Sequence, residues 1–305
     1  MDRDAPEYLD ALAPLEATGV RLLAITDSEQ LPEGSEDATV ALGAPDLLVQ
    51  ALPALPEICW VQSTWAGVTP FLPWARAGGI LTGVKDVFGG QMAEYVMAGL
   101  LERAIDLPGR RATQARGEWH ASPTATLAGR TLGIMGTGSI GAEIARRAEA
   151  FGMRPIGYSR SGTSRPPFQA VFPADQLHGF LAASDDVVGV LPDTPETQGL
   201  LDANAFAAMR PDALFINVGR GTLVDDQALV LALERQQIGA ALLDVFHEEP
   251  LPASHPFWTC PRLTLTAHVA ARSWPADLAA LFMENLARYR SGEALLHPID
   301  PLLGY

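Results

Sequence analysis

Short apolar runs recur along this chain and alternate with longer segments whose apolar residues follow helical spacing. Four runs near the start predict short buried strands, at 20–27, 38–44, 58–64 and 79–85. Six further runs predict a second series of strands, at 131–136, 154–159, 186–191, 213–218, 239–246 and 263–268. Helical segments separate most of them, and such repeated strand–helix–strand units predict parallel sheets joined by right-handed crossovers.

A long amphipathic segment separates the two series of strands. Its apolar positions recur at helical spacing between residues 91 and 116: Met92, Tyr95, Val96, Leu100 and Leu101. We therefore predict an α/β protein with two doubly wound parallel-sheet domains, residues 1–99 with 275–305 and residues 100–274. The tail from Pro275 has a helical pattern and is expected to fold back onto the first domain.

The balance of charges limits the classes of partner. The chain has 36 acidic and 21 basic residues, a formal net charge of −15. A field of this sign repels nucleic acid and acidic membranes, so neither is an expected partner. Anionic metabolites could bind only where local arginines, helix N-termini or backbone N–H groups overcome it. Lys85 is the only lysine, which argues against Schiff-base chemistry.

Other features of the sequence argue against export, membrane insertion and a structural metal site. The N-terminal segment lacks the apolar core of a signal peptide, and no run approaches the ~18 apolar residues of a membrane span. Cys59 and Cys260 lie far apart and outside any CxxC pattern, so neither a disulfide framework nor a zinc site is predicted. We expect a cytoplasmic protein that holds no metal and has both cysteines in its core.

A glycine-rich turn follows the first strand of the second series. Gly136, Gly138 and Gly141 satisfy the pattern G-x-G-x-x-G between a predicted strand and a predicted helix. The first glycine permits a tight turn, the second lets the backbone approach a pyrophosphate, and the third lets the helix pack closely. Glycine-rich turns also occur for packing alone, but this context favours a dinucleotide site.

The end of the next strand bears on the choice of dinucleotide. A site selective for NAD usually has an acidic residue there, which binds the ribose 2′-hydroxyl. Ser159 and Arg160 occupy this place, and no carboxylate is present. A hydroxyl and a guanidinium suit a 2′-phosphate, so NADP is the predicted cofactor, with NAD possible. The alternative is that Arg160 is a solvated turn residue.

Three consecutive strand ends supply further candidate chemistry. Arg220 follows the strand at 213–218, Asp244 and Glu249 lie at and beyond the end of the next, and His268 follows the last. Each alone has a structural explanation, such as a surface ion pair or a turn residue. Open α/β sheets bind ligands at the carboxyl ends of their strands, so the three ends together predict an active site.

The order and spacing of these motifs resemble those of the D-isomer-specific 2-hydroxyacid dehydrogenases, in particular the glyoxylate/hydroxypyruvate reductase A-like branch. The matching segments are LAGRTLGIMGTGSIG, LPDTPETQGLLDANAFAAMRPDALFINVGRGTLVD, DVFHEEPLP, HPFW and AHVAARS, with STWAGVTPF and GGQMAEYV before them and NLARYRSGE and PIDPLLGY after them. The resemblance implies a Rossmann cofactor domain inserted in a flavodoxin-like substrate domain. It also implies a homodimer that reduces small 2-keto acids.

The resemblance implies a role for each candidate residue. Arg220 would bind the substrate carboxylate and polarise the keto oxygen, His268 would protonate that oxygen, and Glu249 would hold the imidazole. Hydride addition builds negative charge on oxygen, so a cation and a proton donor are the groups this chemistry needs. The carboxylate would also meet the backbone at Trp65, Ala66 and Gly67. The residues expected to line the cofactor site are Gly136, Gly138, Ser139, Ile140, Gly141, Ser159, Arg160, Pro192, Val218 and Asp244.

Some positions depart from the family pattern and leave the substrate open. Trp65 stands where a small residue is common, and it either narrows the pocket or packs on the hinge. Arg272 stands where an apolar residue is frequent and lies either near the pocket or on the surface. Formate dehydrogenases and phosphoglycerate-type dehydrogenases fit less well. A dinucleotide-sensing protein without catalytic activity on the same scaffold is the main alternative.

Overall fold

The computed structural model of this chain describes residues 1–303, which form two compact units. The first comprises Met1–Val87 together with the residues from Ser273 onward, and the second comprises Phe88–Arg272. The boundary predicted from the sequence lies later, after residue 99. The boundary lies before helix α4 (Gly89–Ala104) because this helix packs along helix α6 (Ser139–Ala150) within the second unit. Gly304 and Tyr305, the end of the motif PIDPLLGY, lie outside the described residues.

The first unit holds a three-stranded parallel sheet. Strands β1 (Val40–Gly43), β2 (Trp60–Ser63) and β3 (Ile80–Thr82) are adjacent in that order. The helices of this unit are α1 (Ala5–Leu12), α2 (Pro45–Ala51), α3 (Leu72–Arg76) and α10 (Pro275–Ser291). Trp60 is fully buried, and its ring stacks on Phe282 and Tyr289 of α10, each at 5.3 Å. Burial of such large rings makes this contact a main stabilising feature of the unit.

The strand predicted at 20–27 is wrong: the segment has no regular secondary structure and pairs with no described strand. The first two residues of the chain lie beside it instead. The Asp2 N–H donates to the Ile25 carbonyl at 3.2 Å, and the Ala44 N–H donates to the Met1 carbonyl at 2.9 Å. The backbone groups at the nearby end of β1 are paired with Met1 instead of with this segment.

The second unit holds a seven-stranded parallel sheet. Its strands are β4 (Thr131–Met135), β5 (Arg154–Tyr158), β6 (Val171–Phe172), β7 (Asp186–Gly189), β8 (Leu214–Asn217), β9 (Ala240–Leu243) and β10 (Leu263–Leu265). Their spatial order is β10-β9-β8-β7-β4-β5-β6, so the direction of winding reverses beside β4. Doubly wound sheets bind ligands at such a reversal. The predicted α/β fold with a Rossmann domain is confirmed.

The helices of the second unit begin with the segment predicted as one helix at 91–116. It is two helices, α4 and α5 (Leu107–Ala115), because Pro108 cannot continue a helix that began before it. Asp106 adopts a left-handed φ of 49° at the break, and its side chain accepts a hydrogen bond from the Gly109 N–H. The remaining helices are α6, α7 (Leu177–Ala183), α8 (Ala203–Ala208) and α9 (Asp226–Glu234).

The structure of residues 1–303 also bears on the predictions about membrane spans, metal sites and cysteines. None of their helices combines the length and the apolar character needed to cross a bilayer. Neither do these residues contain a cluster of three or more His, Cys, Asp or Glu side chains suited to a metal ion. The prediction that both cysteines lie in the core is wrong, because Cys59 is exposed at the start of β2 with its Sγ 2.9 Å from the Tyr289 hydroxyl.

Candidate active site

The glycine turn between β4 and α6 forms a cradle with space above it. Gly136 has a φ of 113°, which side chains rarely permit, and a Cβ on Gly141 would lie 1.9 Å from the Gly136 carbonyl oxygen. A Cβ on Gly138 would meet no atom within 4 Å. Helix α6 therefore packs closely against the turn, and open space remains at the N-terminus of α6. Ser139 and Ile140, in the first turn of α6, present backbone N–H groups there, an arrangement that fits a pyrophosphate.

Two further predicted cofactor residues follow the strands beside this turn. Pro192 lies beyond β7, which pairs with β4, and Val218 lies directly after β8, which pairs with β7. The Val218 N–H donates to the Gly189 carbonyl at 3.1 Å, and the Pro192 carbonyl accepts from the Thr197 hydroxyl at 2.7 Å. Parallel strands end at one edge of a sheet, so the structure places both residues at the edge that carries the glycine turn.

Ser159 and Arg160 lie beyond the end of β5, on the other side of β4. The Ser159 hydroxyl accepts a hydrogen bond from the Gly162 N–H at 3.2 Å, and the hydroxyls of Ser161 and Thr163 lie 2.9 Å apart. Arg160 is exposed and forms no ion pair with any carboxylate of the described chain. The pKa of Glu196 is lowered by its own backbone N–H, by Thr194 and, least, by the charge of Arg160. Arg160 therefore supplies positive charge near this turn.

Arg220 is held by a turn built on Asn217. The Asn217 side chain donates to the Arg220 carbonyl at 2.9 Å and accepts from the Gly219 N–H at 3.2 Å. The guanidinium donates to the Gly219 carbonyl at 2.7 Å but forms no ion pair within residues 1–303. Burial lowers the pKa of Arg220, while the charges of Asp193 and Glu249 oppose this shift. The result is a partly desolvated cation with donors left for an anion.

Glu249 and His268 meet directly. His268 Nδ1 lies 2.7 Å from Glu249 Oε2, and the second carboxylate oxygen accepts from the Phe246 N–H at 2.9 Å. In the described part of the chain, His268 Nε2 has no hydrogen-bond partner, and about half of the side chain is exposed. The carboxylate therefore orients the ring and leaves the other nitrogen accessible for chemistry.

Asp244 holds the loop that carries His268. Its carboxylate is buried and accepts the N–H groups of Val269 and Ala270, each at 2.9 Å, together with the Thr266 hydroxyl. Its backbone carbonyl accepts the His268 N–H at 2.8 Å. His268 has a left-handed φ of 54°, a region that few residues other than glycine occupy. Asp244 thus fixes the left-handed backbone of the residue whose ring contacts Glu249.

Two residues that support this loop were not predicted from the sequence. Tyr95 on α4 hydrogen-bonds Thr266 at 2.5 Å, and burial raises the pKa of Tyr95 to about 12. The Gln91 side chain accepts the Arg272 N–H and donates to the Arg272 carbonyl, each at 2.9 Å. Both supporting residues lie in GGQMAEYV, a segment that carries the family resemblance, but a sequence pattern alone does not show what their polar groups bind.

The predicted substrate loop belongs to the first unit and follows β2. Trp65 is partly exposed, and its N–H and carbonyl both bond the Ser63 hydroxyl, at 3.1 and 2.9 Å. The Ser273 hydroxyl donates to the Thr64 carbonyl at 2.6 Å and fixes the start of the loop. Ala66 is exposed and Gly67 is half-buried. The structure therefore groups Arg220, Glu249, His268 and the cofactor residues in one unit and this loop in the other.

Comparison with known proteins defines the class. Residues 97–270 match the sequence model described as "D-isomer specific 2-hydroxyacid dehydrogenase, NAD binding domain". A solved structure of a D-isomer specific 2-hydroxyacid dehydrogenase family protein from Aeromonas salmonicida superposes with a TM-score of 0.92 at 37% identity, covering 99% of this chain and 97% of that one. The chain belongs to the D-isomer-specific 2-hydroxyacid dehydrogenase family and is a nicotinamide-dinucleotide-dependent oxidoreductase.

Two further relatives place the chain within this family. Glyoxylate/hydroxypyruvate reductase A of Serratia proteamaculans is 35% identical over 215 residues, which cover 70% of this chain and 69% of that protein. A D-isomer specific 2-hydroxyacid dehydrogenase from Xanthobacter autotrophicus, solved in complex with NADPH and MES, has a TM-score of 0.87 at 32% identity and covers 99% of this chain and 96% of that one. The predicted resemblance to the glyoxylate/hydroxypyruvate reductase A-like branch is confirmed.

Proposed function

We propose that this protein reduces small 2-keto acids, glyoxylate and hydroxypyruvate in particular, to 2-hydroxy acids of D configuration where the product is chiral. His268 is the proton donor in this proposal. The supporting observation is the 2.7 Å contact between His268 Nδ1 and Glu249, which leaves Nε2 without a partner among residues 1–303. The name of the Serratia relative supports the substrate class.

The residues of the chain perform the acid–base and electrostatic parts of the reaction. The reduced dinucleotide, when bound over the glycine turn, supplies a hydride. His268 donates the proton on Nε2 to the keto oxygen as negative charge develops on that oxygen. Before the transfer, the Glu249 carboxylate stabilises the protonated ring. The hydrogen bonds that Asp244 forms with the loop hold the left-handed backbone of His268 and so orient the ring before substrate arrives.

Arg220 is the residue that binds the substrate anion. Its planar fork can hold a carboxylate oxygen and the keto oxygen together, which a single ammonium cannot do. The absence of an ion pair to the guanidinium within the described chain leaves these donors available. The backbone N–H groups of Trp65, Ala66 and Gly67 stay predicted contacts of the substrate carboxylate, and the size of Trp65 favours acids of two or three carbons.

NADPH is the preferred reductant in this proposal, and Ser159 and Arg160 receive its 2′-phosphate. The support is the lack of a carboxylate directly after β5 and the exposed guanidinium at that position. The Xanthobacter relative was solved with NADPH. A homodimer and a cytoplasmic location stay predictions, which sedimentation velocity and cell fractionation test.

A panel of keto acids tests the proposed activity. NADPH oxidation is followed at 340 nm with glyoxylate, hydroxypyruvate, pyruvate and phenylpyruvate, and we expect the largest kcat/KM for the first two. A dinucleotide sensor on the same scaffold would instead bind NADPH, as measured by fluorescence, and oxidise it with none of the four acids. Binding without turnover would therefore refute the proposal.

A further inference from the structure

Asp193 is a carboxylate to which the proposed reaction assigns no role, although it contacts the turn that carries Arg220. It is exposed, in the loop that follows β7. Its Oδ1 accepts hydrogen bonds from the Thr222 hydroxyl at 2.8 Å and from the Gln198 side chain at 3.0 Å. Within residues 1–303, Oδ2 has no hydrogen-bond partner and the carboxylate forms no ion pair. One oxygen therefore holds the loop, while the negative charge of the group is not neutralised.

Backbone contacts hold the loop of Asp193 against the turn of Arg220. A Cβ on Gly219 would lie 2.9 Å from the backbone that follows β7, so this turn packs closely on the start of the loop. At the other end of the loop, the Gly199 N–H donates to the Thr222 carbonyl at 2.8 Å. These contacts and the bond from the Thr222 hydroxyl keep the carboxylate close to the segment that carries the guanidinium.

The charge of Asp193 acts on Arg220 without occupying it. Burial lowers the pKa of Arg220, and Asp193 opposes this shift more strongly than Glu249 does. The guanidinium nevertheless forms no ion pair with a carboxylate of the described chain, so its donors stay available for an anion. A negative charge close to a partly desolvated cation repels an approaching anion and offsets part of the attraction of that cation.

We propose that Asp193 weakens the attraction of Arg220 for the substrate carboxylate and thereby sets the affinity of the enzyme for keto acids. The inference rests on the proposed role of Arg220, through which Asp193 acts. Keto acid and hydroxy acid both carry a carboxylate, so Asp193 reduces the binding of substrate and product alike. Such a uniform change in binding alters KM and leaves the chemical step unchanged.

Asp193→Asn tests the inference, because it removes the charge and keeps an oxygen in the place of Oδ1 for both hydrogen bonds. The probe is oxalate, a small carboxylate with no keto group to reduce, and isothermal titration calorimetry in the presence of NADPH measures its affinity. We expect the dissociation constant of oxalate to fall about threefold or more in the variant. The difference from wild type should shrink as the salt concentration rises.

Two control variants separate the charge from other causes. Thr222→Val removes one hydrogen bond to Asp193 and keeps the charge. Glu196→Gln removes a charge from the same loop, where the positive charge that acts on Glu196 is that of Arg160. Neither control should bind oxalate more tightly than wild type. An unchanged or larger dissociation constant for Asp193→Asn, an equal fall in either control, or no binding of oxalate by wild type and variant would overturn the inference.

Steady-state kinetics with glyoxylate add a readout of opposite sign to structural damage. Asp193→Asn should lower KM by about the same factor as the dissociation constant of oxalate and leave kcat within about twofold. A loosened turn would instead raise KM and lower kcat, and that result would also overturn the inference. Loss of oxalate affinity in Arg220→Lys, without keto-acid turnover by wild type, would refute the proposed function. The comparison of oxalate affinities would still test Asp193 in that case.

Discussion

At the scale of single residues, the site depends on how a few polar groups are fixed. Glu249 accepts from Phe246 with one oxygen and contacts His268 with the other, so neither its position nor that of the ring is free. The sequence pattern predicted that Glu249 and His268 follow two strands at the same edge of the sheet. It could not predict the distance of 2.7 Å between Glu249 Oε2 and His268 Nδ1, because that distance depends on the conformation of two loops, which have no periodic pattern.

Replacing Glu249 with Gln tests the pairing through turnover. The amide keeps the shape of the side chain but removes the negative charge that contacts His268 Nδ1. We expect kcat for glyoxylate to fall about tenfold or more, a smaller loss than removal of the acid itself causes, because the ring remains but loses its charged partner. The affinity for NADPH should not change. A kcat equal to that of wild type would separate Glu249 from the acid.

Replacing Arg220 with Lys tests whether the planar guanidinium binds two substrate oxygens at once. An ammonium keeps the charge but cannot bind the carboxylate and keto oxygens together. We expect kcat/KM for glyoxylate to fall by about a hundredfold or more, the equivalent of about 3 kcal/mol. Arg210→Lys is the matched control, because Arg210 pairs with Asp185 at 3.2 Å on an exposed surface. Activity of Arg220→Lys within threefold of wild type would contradict the assignment.

At the scale of elements, strand ends and helix starts carry the chemistry. The glycine turn follows β4, Arg220 follows β8, and His268 follows β10, as the alternation of apolar runs predicted. The break between α4 and α5 was missed although Pro108 signals it, because the apolar spacing continues on either side. The segment at 20–27 was assigned to the sheet, since its apolar pattern is typical of a strand but does not show what lies beside it.

The loop after β10 gives a prediction at this scale. Asp244→Asn places an NH2 group against the N–H of Val269 or Ala270 and removes a charge-assisted acceptor. We expect kcat to fall about tenfold or more, because the hydrogen bonds that hold the backbone of the His268 loop are weakened. The melting temperature should fall as well. Thr266→Val is the control, because it removes one donor to Asp244 and leaves both backbone bonds in place. A kcat for Asp244→Asn equal to that of the control would show that Asp244 does not position the acid.

At the scale of the whole molecule, a net charge of −15 opposes the binding of anionic ligands. A dinucleotide phosphate and a keto acid must both be met by local cations and N–H groups. The division into units could be predicted in outline. The exact boundary could not, because it depends on α4 packing along α6, a contact between segments far apart in sequence.

Cofactor choice follows from this balance. Arg160→Ala should raise the KM for NADPH by about one to two orders of magnitude and leave the KM for NADH nearly unchanged, because only NADPH has a 2′-phosphate. Rising salt should weaken the preference of the wild type for NADPH first. Arg154→Ala is the matched control, because Arg154 is exposed at the other end of β5. Equal effects on both cofactors would show that Arg160 is a solvated surface residue.

The most direct test of the account is the turnover of His268→Ala with hydroxypyruvate and NADPH, measured beside the affinity of the same variant for NADPH. We predict a kcat about 10²–10⁴-fold lower, the usual contribution of a general acid, with the dissociation constant for NADPH unchanged. The wild type should form only the D product by chiral chromatography. A kcat within threefold of wild type, with the cofactor bound normally, would contradict the role of His268.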